Sequence, residues 1–269
     1  ASGFKYVWSP EHHFLEHYSH QPAPEVFLSF VAARTRRVHV GTAITNLTAK
    51  VNHPARVAER IATLDHLSQG RVEFGTGRGS STAEWAGFGI ARAADAKAMW
   101  RESLEQIPRM WRDEPYEFEG QYFRMPKRNV LPKPFSKPHP SMWLACSSPP
   151  TFAECGELGL GALCFTFGRP TEIAPLIKAY KDGIKRCKKP IAGFVNDNIA
   201  VTTNMFCLPD GDQARRLYAD AKRMLQRLIE GRWLSASGVV GFWPANTVND
   251  DDIEIYTDET RTEVAMTWY

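Results

Sequence analysis

The tract Glu11-His12-His13 is the first place in the sequence where the residue types could do chemistry. It comes directly after the apolar segment 4–8, which has the composition of a strand. A histidine in such a place can donate a hydrogen bond or exchange a proton near neutral pH. A structural histidine that caps the end of a strand would give the same pattern, so the spacing alone leaves both interpretations open.

Two loops rich in glycine, serine and cysteine also follow apolar segments, at 75–81 and at 146–151. In the first loop, backbone N–H groups can face an anion and Arg78 can pair with a phosphate. In the second loop, hydroxyl groups and the start of a helix offer further hydrogen-bond donors. Each loop is a weak signal alone, but two candidate anion sites favour a phosphorylated cofactor.

A metal site is the alternative for the histidine tract. His13, His17 and His20 would share one face of a helix, and three imidazoles could hold zinc. Pro22 and Pro24 cut the segment short, and no nearby cysteine or aspartate completes a ligand set. We therefore expect no metal site here.

Apolar strands that alternate with amphipathic helices must position these loops. Strands are predicted at 4–8, 38–44, 71–76, 142–146, 161–166 and 199–206, and helices begin near Pro24, Pro54 and Pro149. Such alternation predicts an α/β fold with a parallel sheet. No G-x-G-x-x-G motif follows a strand. Because the polar loops follow strand ends, where barrels carry their active sites, we favour a (β/α)8 TIM barrel.

Bulk composition excludes several classes of function. The net charge is only +3, so no nucleic-acid or membrane partner is expected, and no apolar run is long enough to span a bilayer. Five widely spaced cysteines without a CxxC pair favour free thiols. These features predict a cytoplasmic protein.

Four segments together resemble the luciferase-like monooxygenases, the relatives of the bacterial luciferase alpha subunit. They occur in family order, and the likeness extends over residues 1–215: PEHHFLEHYSHQPAPEVFLSFVAARTRRVHVGTAI, NHPARVAERIATLDHLSQGRVEFGTGRG, VLPKPFSKPHPSMWLACSSP and LGLGALCFTF. The resemblance implies a luciferase-like barrel that binds reduced FMN, reacts it with O2, and oxidises an organic substrate through a C4a-peroxyflavin.

The resemblance also implies roles for individual residues. His12 would lie near the flavin and support the oxygenated intermediate. Ala43 and Ile44 would lie against the flavin ring and be joined by a non-prolyl cis peptide bond. Arg78, after the turn that ends in Gly77, would contact phosphate. The remaining predicted cofactor ligands follow the fourth strand and would line the flavin and its phosphate: Cys146, Ser147 and Ser148.

The resemblance leaves the cofactor and the partners partly open. A small-molecule substrate, a separate flavin reductase and a homodimer are expected. Because the same superfamily uses cofactor F420, an F420-dependent oxidoreductase is one alternative. A non-catalytic or metal-binding barrel fragment is another.

Two departures from the family pattern affect the expected architecture. The sequence begins at the family's second strand, so we expect the first strand to be missing. After residue 215 the likeness changes, and residues 216–266 resemble a fragment of the activation domain of cobalamin-dependent methionine synthase, most strongly in GFWPANTVNDDDIEIYTDETR. We therefore divide the chain into a flavin-binding barrel at 1–215 and an atypical C-terminal segment at 216–269.

Overall fold

A mostly parallel, curled sheet covered by helices forms the fold. The computed structural model describes residues 3–15, 19–79, 81–166, 173–203, 208–230 and 266–267. The strands of the described residues are β1 Tyr6–Ser9, β2 His39–Thr42, β3 Thr45–Asn46, β4 Val72–Gly77, β5 Tyr116–Glu119, β6 Arg124–Arg128, β7 Ser141–Ala145, β8 Gly161–Thr166, β9 Ile199–Thr203 and β10 Met266–Thr267.

Eight of these strands form the main sheet, and all their pairings are parallel. The order is β10-β1-β2-β4-β7-β8-β9. The short strand β3 follows β2 in the chain and, like β2, pairs with β4. The α/β class and the parallel sheet are thus confirmed, whereas the described residues make only an incomplete barrel. The edge of β1, beside which the missing first strand was expected, is paired with β10 through Val7 and Trp8. That the family's first strand is missing stays a prediction.

Helices follow most of these strands and begin where the sequence signals place them. They are α1 Pro24–Arg34, α2 Pro54–Ser68, α3 Thr82–Gly87, α4 Ala93–Arg112, α5 Pro149–Glu157, α6 Ala174–Arg186 and α7 Gly211–Glu230. Proline opens α1, α2 and α5, since its fixed φ suits a position whose N–H has no helical partner. None of the described helices is long and apolar enough to cross a membrane.

Some predicted features fall outside the described residues. These are His17, the last three residues of the sixth predicted strand at 204–206, and 231–265 of the C-terminal segment. The helix α7 runs through the predicted boundary at residue 215. The division of the chain at that point stays a prediction.

Side chains of successive strand residues alternate between two cores. The larger core lies between sheet and helices and includes Val40, Phe74 and Met142, all 1% exposed or less. The smaller core lies inside the curl of the sheet and is built on Trp8 and Trp143, whose ring centroids are 5.3 Å apart. The two tryptophans therefore fill the interior of the sheet.

The hairpin of β5 and β6 lies outside the main sheet and is fastened to α4 by one carboxylate. Glu102 accepts hydrogen bonds from the backbone N–H groups of Gln121, Tyr122 and Phe123 at 2.7, 2.9 and 3.2 Å. Since a turn has few other acceptors for these groups, Glu102 holds the hairpin against the helix.

We expect Glu102→Ala to lower the free energy of unfolding by about 2 kcal/mol, because three N–H groups lose their acceptor. Urea unfolding followed by tryptophan fluorescence measures this. Glu105→Ala is the matched control, since Glu105 lies on the same helix and pairs only with Arg101 on the exposed surface. Equal stabilities of the two variants would contradict the assignment.

Candidate functional site

The carboxyl ends of the parallel strands bring most of the predicted site residues to one end of the sheet. His12 follows β1, Ala43 and Ile44 lie between β2 and β3, Gly77 ends β4, and Ser147 follows β7. We call this end of the sheet, with its loops, the mouth. Because parallel strands present their carboxyl ends together, segments far apart in sequence meet there.

His12 is held at the mouth by a buried carboxylate from another loop. Its Nδ1 lies 3.2 Å from Oε1 of Glu84, and the same oxygen accepts the backbone N–H of His13 at 2.9 Å. The Glu84 side chain is only 1% exposed, whereas that of His12 is 23% exposed. The imidazole is therefore anchored on its buried side and open on the other.

A second buried carboxylate, Glu11, ties the β1 loop to the β3 loop. Its Oε2 accepts the backbone N–H of Asn46 at 2.9 Å. Its Oε1 accepts the Asn52 amide at 2.7 Å and lies 2.9 Å from Nε2 of His13. The Asn52 side chain in turn accepts a hydrogen bond from Arg60 at 2.7 Å. These contacts fix the segment that carries His12.

The wall of the mouth that faces the interior of the sheet consists of very small residues. Gly75, Gly77 and Ala145 occupy the inward positions near the strand ends, and Ala43 packs against the Trp8–Trp143 core. Below them the tryptophans close the interior. An added Cβ at Gly75 would come within 1.8 Å of the Thr42 carbonyl oxygen, so this glycine lets the β2 and β4 strands approach each other closely.

The peptide bond between Ala43 and Ile44 is cis, which confirms the bond that the resemblance implied. Ile44 packs against Gly77, where an added Cβ would come within 2.7 Å of Cγ1 of Ile44. Gly77 therefore has to be small for the β2 and β4 strand ends to approach each other. The contacts of these residues with a flavin ring stay a prediction.

Arg78 is exposed at the rim of the mouth and is already oriented. Its guanidinium donates to the carbonyl of Ala93 at 3.1 Å and lies 5.6 Å from the ring centroid of Trp85. The Trp85 indole N–H donates back to the Arg78 carbonyl at 3.1 Å. A bound phosphate would use the remaining N–H groups of this arginine.

The loop after β7 places its three predicted ligands differently. The Cys146 side chain lies in the core between sheet and helices and is 4% exposed, so its thiol faces away from the mouth. Ser147 is exposed, and the Ser148 hydroxyl lies 3.0 Å from that of Thr151. Because Pro149 and Pro150 have no N–H, the first turn of α5 offers a phosphate hydroxyl groups more than backbone donors.

The buried thiols are not candidates for nucleophiles. A hydrogen bond with the Cys155 thiol, together with burial, raises the pKa of Cys146 well above its ordinary value. Burial raises the pKa of Cys164 to about 12. Both groups are therefore neutral thiols near neutral pH.

The part of the chain that the structure describes contains no cluster of three or more histidine, cysteine or acidic residues arranged to hold a metal. His13 is instead engaged with Glu11, and His17 lies outside the described residues. The zinc alternative thus gains no support from these residues.

Sequence reasoning missed both carboxylates of the site. Glu84 stands three residues after Ser81, whose hydroxyl caps α3 by accepting from the N–H groups of Ala83 and Glu84. A glutamate at this place in a helix has the ordinary pattern of a capping motif. Its contact with His12 joins residues 72 positions apart, and no local signal reports it.

Comparison with known proteins assigns the sequence to a family. The family model for luciferase-like monooxygenases matches residues 1–252. It therefore also covers part of the segment that we likened to the methionine synthase activation domain, and that second likeness stays a prediction.

Three similar proteins illustrate the range of the matches. An F420-dependent glucose-6-phosphate dehydrogenase of Kineococcus radiotolerans is 31% identical over 68% of this chain and 55% of its own length. The oxygenase component of a flavin-dependent trigonelline monooxygenase of Acinetobacter baylyi is 29% identical over 55% of this chain and 40% of its own. The crystal structure of the monooxygenase RslO1 from Streptomyces bottropensis, 29% identical, superposes with a TM-score of 0.74 over 89% of this chain and 70% of that one.

The chain spans less than two thirds of the length of the curated relatives that it matches, between 40% and 63% for three of them. Activities of those whole proteins therefore bear on this chain only as proposals.

We expect Glu11→Ala to lower the free energy of unfolding by about 3 kcal/mol, because it leaves the Asn46 N–H and the Asn52 amide without their acceptor in a buried place. Urea unfolding provides the measurement, and Glu117→Ala on the exposed face of β5 is the control. A loss no larger than that of the control would show that Glu11 does not hold the two loops together.

Proposed function

The chain belongs to the luciferase-like monooxygenase family, and from this premise we propose that it is a flavin-dependent monooxygenase. It would bind reduced FMN at the mouth and use it with O2 to oxidise a small organic molecule. The observation that carries the proposal is the imidazole of His12, which is anchored by the buried Glu84 and partly exposed at the mouth, where Ala43 and Ile44 end the Trp8–Trp143 core.

The residues of the mouth fit a flavin in their chemistry. Ala43 and Ile44 would lie against the ring, since they pack at the end of the small apolar core of Trp8 and Trp143. For the phosphate, Arg78 offers a charge, and Ser147 and Ser148 offer hydroxyl groups. When bound, reduced FMN supplies the two electrons with which O2 is activated.

His12 and the loops around it supply what the protein itself contributes. With Nδ1 committed to Glu84, the ring has Nε2 available to accept or donate a proton at the mouth. Glu11 fixes the loops beside it to each other, so the segment that carries His12 is held in place. These groups orient the reactants and hold one proton.

An F420-dependent oxidoreductase is the second candidate, and the likeness to the Kineococcus enzyme favours it. The same apolar wall would accept either ring system. The electron donor follows from this choice, and the similar Acinetobacter protein is named as the oxygenase component of its monooxygenase. We therefore propose a separate flavin reductase for the first candidate, and the homodimer stays a prediction.

We expect the full chain to bind reduced FMN anaerobically with a micromolar dissociation constant and, once air is admitted, to slow its oxidation relative to free reduced FMN, which O2 oxidises unaided. Changes of flavin fluorescence and absorbance follow both the binding and the oxidation. Oxidised FMN is the control ligand, and we expect it to bind more weakly than reduced FMN.

A parallel titration with reduced F420 decides between the two candidates. Tight binding of reduced F420 without binding of FMN would overturn the monooxygenase proposal in favour of the dehydrogenase type. Binding of neither cofactor would contradict both candidates and leave the non-catalytic alternative.

We expect Arg78→Ala to weaken binding of reduced FMN about tenfold, the effect of losing a charged hydrogen bond to phosphate. Binding of reduced riboflavin, which has no phosphate, should change by less than about twofold. Arg124→Ala, on the exposed hairpin, is the control. An equal loss for both ligands would show that Arg78 acts on the ring or on the fold instead of on the phosphate.

A further inference from the structure

We propose that Glu84 is a positioning residue for His12, which fixes the imidazole with its proton on Nδ1 and leaves Nε2 for the ligand. The inference rests on the proposed function for its catalytic meaning, but the state of the ring can be tested without any cofactor. It begins from the contact between Nδ1 of His12 and Oε1 of Glu84 at 3.2 Å.

The direction of this hydrogen bond follows from the second contact of the same oxygen. Oε1 of Glu84 accepts the backbone N–H of His13 at 2.9 Å, so it acts as an acceptor. Nδ1 of His12 must then donate to it. A neutral imidazole carries one N–H, and therefore Nε2 keeps a lone pair. Among the described residues, Nε2 of His12 has no hydrogen-bond partner.

Because Glu84 is buried, few groups can reach its carboxylate. Its other oxygen, Oε2, is buried and has no hydrogen-bond partner among the described residues. Among the described residues, every hydrogen bond of the Glu84 side chain is made by Oε1, and its two partners are the neighbouring residues His12 and His13. A carboxylate that is 1% exposed needs such donors, because a buried charge without them is strongly destabilising.

A purely structural role for Glu84 makes a different prediction. If the carboxylate only fastened the backbone of the β1 loop to α3, its bond to the His13 N–H would suffice. The state of the His12 ring would then not depend on residue 84. Variants that keep or remove the side-chain acceptor distinguish the two roles.

The test is a long-range 1H–15N NMR spectrum of the full chain labelled at histidine nitrogens, at an alkaline pH where imidazole is neutral. His12→Asn identifies the His12 signals. We expect the Nδ1–H form in the wild type and in Glu84→Gln, whose amide oxygen still accepts. In Glu84→Leu, which removes the acceptor and keeps an apolar volume, we expect the Nε2–H form that free histidine prefers.

Two results would overturn the proposal: the Nε2–H form in the wild type, or the same form in the wild type and in Glu84→Leu. Circular dichroism checks that each variant is folded. If Glu84→Leu does not fold, the wild-type and Glu84→Gln spectra decide alone, since both must show Nδ1–H.

Activity gives the catalytic part of the test. In Glu84→Leu we expect substrate oxidation to fall at least about tenfold, the scale on which the orientation of a catalytic histidine matters, while more of the consumed O2 appears as H2O2. Glu84→Gln should restore most of the coupling. If the ring responds as expected and the wild type does not bind reduced FMN, the proposed function fails and the positioning role stands.

Discussion

The space inside the curled sheet is the constraint on which the site depends. Trp8 and Trp143 lie edge to face within this space, so the strands beside them must carry glycine. A Cβ added at Gly41 would come within 2.2 Å of the Trp8 ring, and one at Gly161 within 2.4 Å of the Trp143 ring. The tryptophans fill the middle of the sheet, and glycines let the neighbouring strands pack closely around them. Ala43 and Ile44 pack against this interior, so its packing fixes the strand ends at which the candidate site lies.

Above this interior, the loops are joined by buried carboxylates instead of by an apolar core. Glu11 and Glu84 each accept a backbone N–H from another part of the chain, and each also contacts a histidine side chain. Away from the mouth, Asp65 likewise accepts a backbone N–H from a distant segment: it accepts the N–H and the hydroxyl of Ser136 at 2.7 and 3.0 Å. Loops have backbone groups that need partners, and a carboxylate can accept several at once. This device fixes long segments without closing the mouth.

The sequence predicted the strands and helices well because their signals are local. Apolar runs and the prolines at 24, 54 and 149 lie within the elements that they mark, so a parallel sheet could be expected. The contacts of the site could not, since His12 meets Glu84 across 72 residues and Asn46 meets Glu11 across 35. The thiol of Cys146 shows a related limit. It stands at a strand end beside two serines, but the alternation of the strand turns its side chain into the core.

The loop after β7 also decides how a phosphate could be held. Many anion sites use the free N–H groups at the first turn of a helix, but Pro149 and Pro150 occupy the first two positions of α5 and supply none. A phosphate near this helix would lack these two backbone donors, and the structure offers the hydroxyl groups of Ser147 and Ser148 there and the guanidinium of Arg78 at the rim. Side-chain ligands are more mobile than backbone groups, so binding is more favourable when they are already held in one conformation. Arg78 is already ordered by the Ala93 carbonyl and the Trp85 ring, which reduces the entropy that binding has to overcome. If a phosphate binds as proposed, the charge of Arg78 at the end of β4 would compensate for the two donors that α5 lacks after β7.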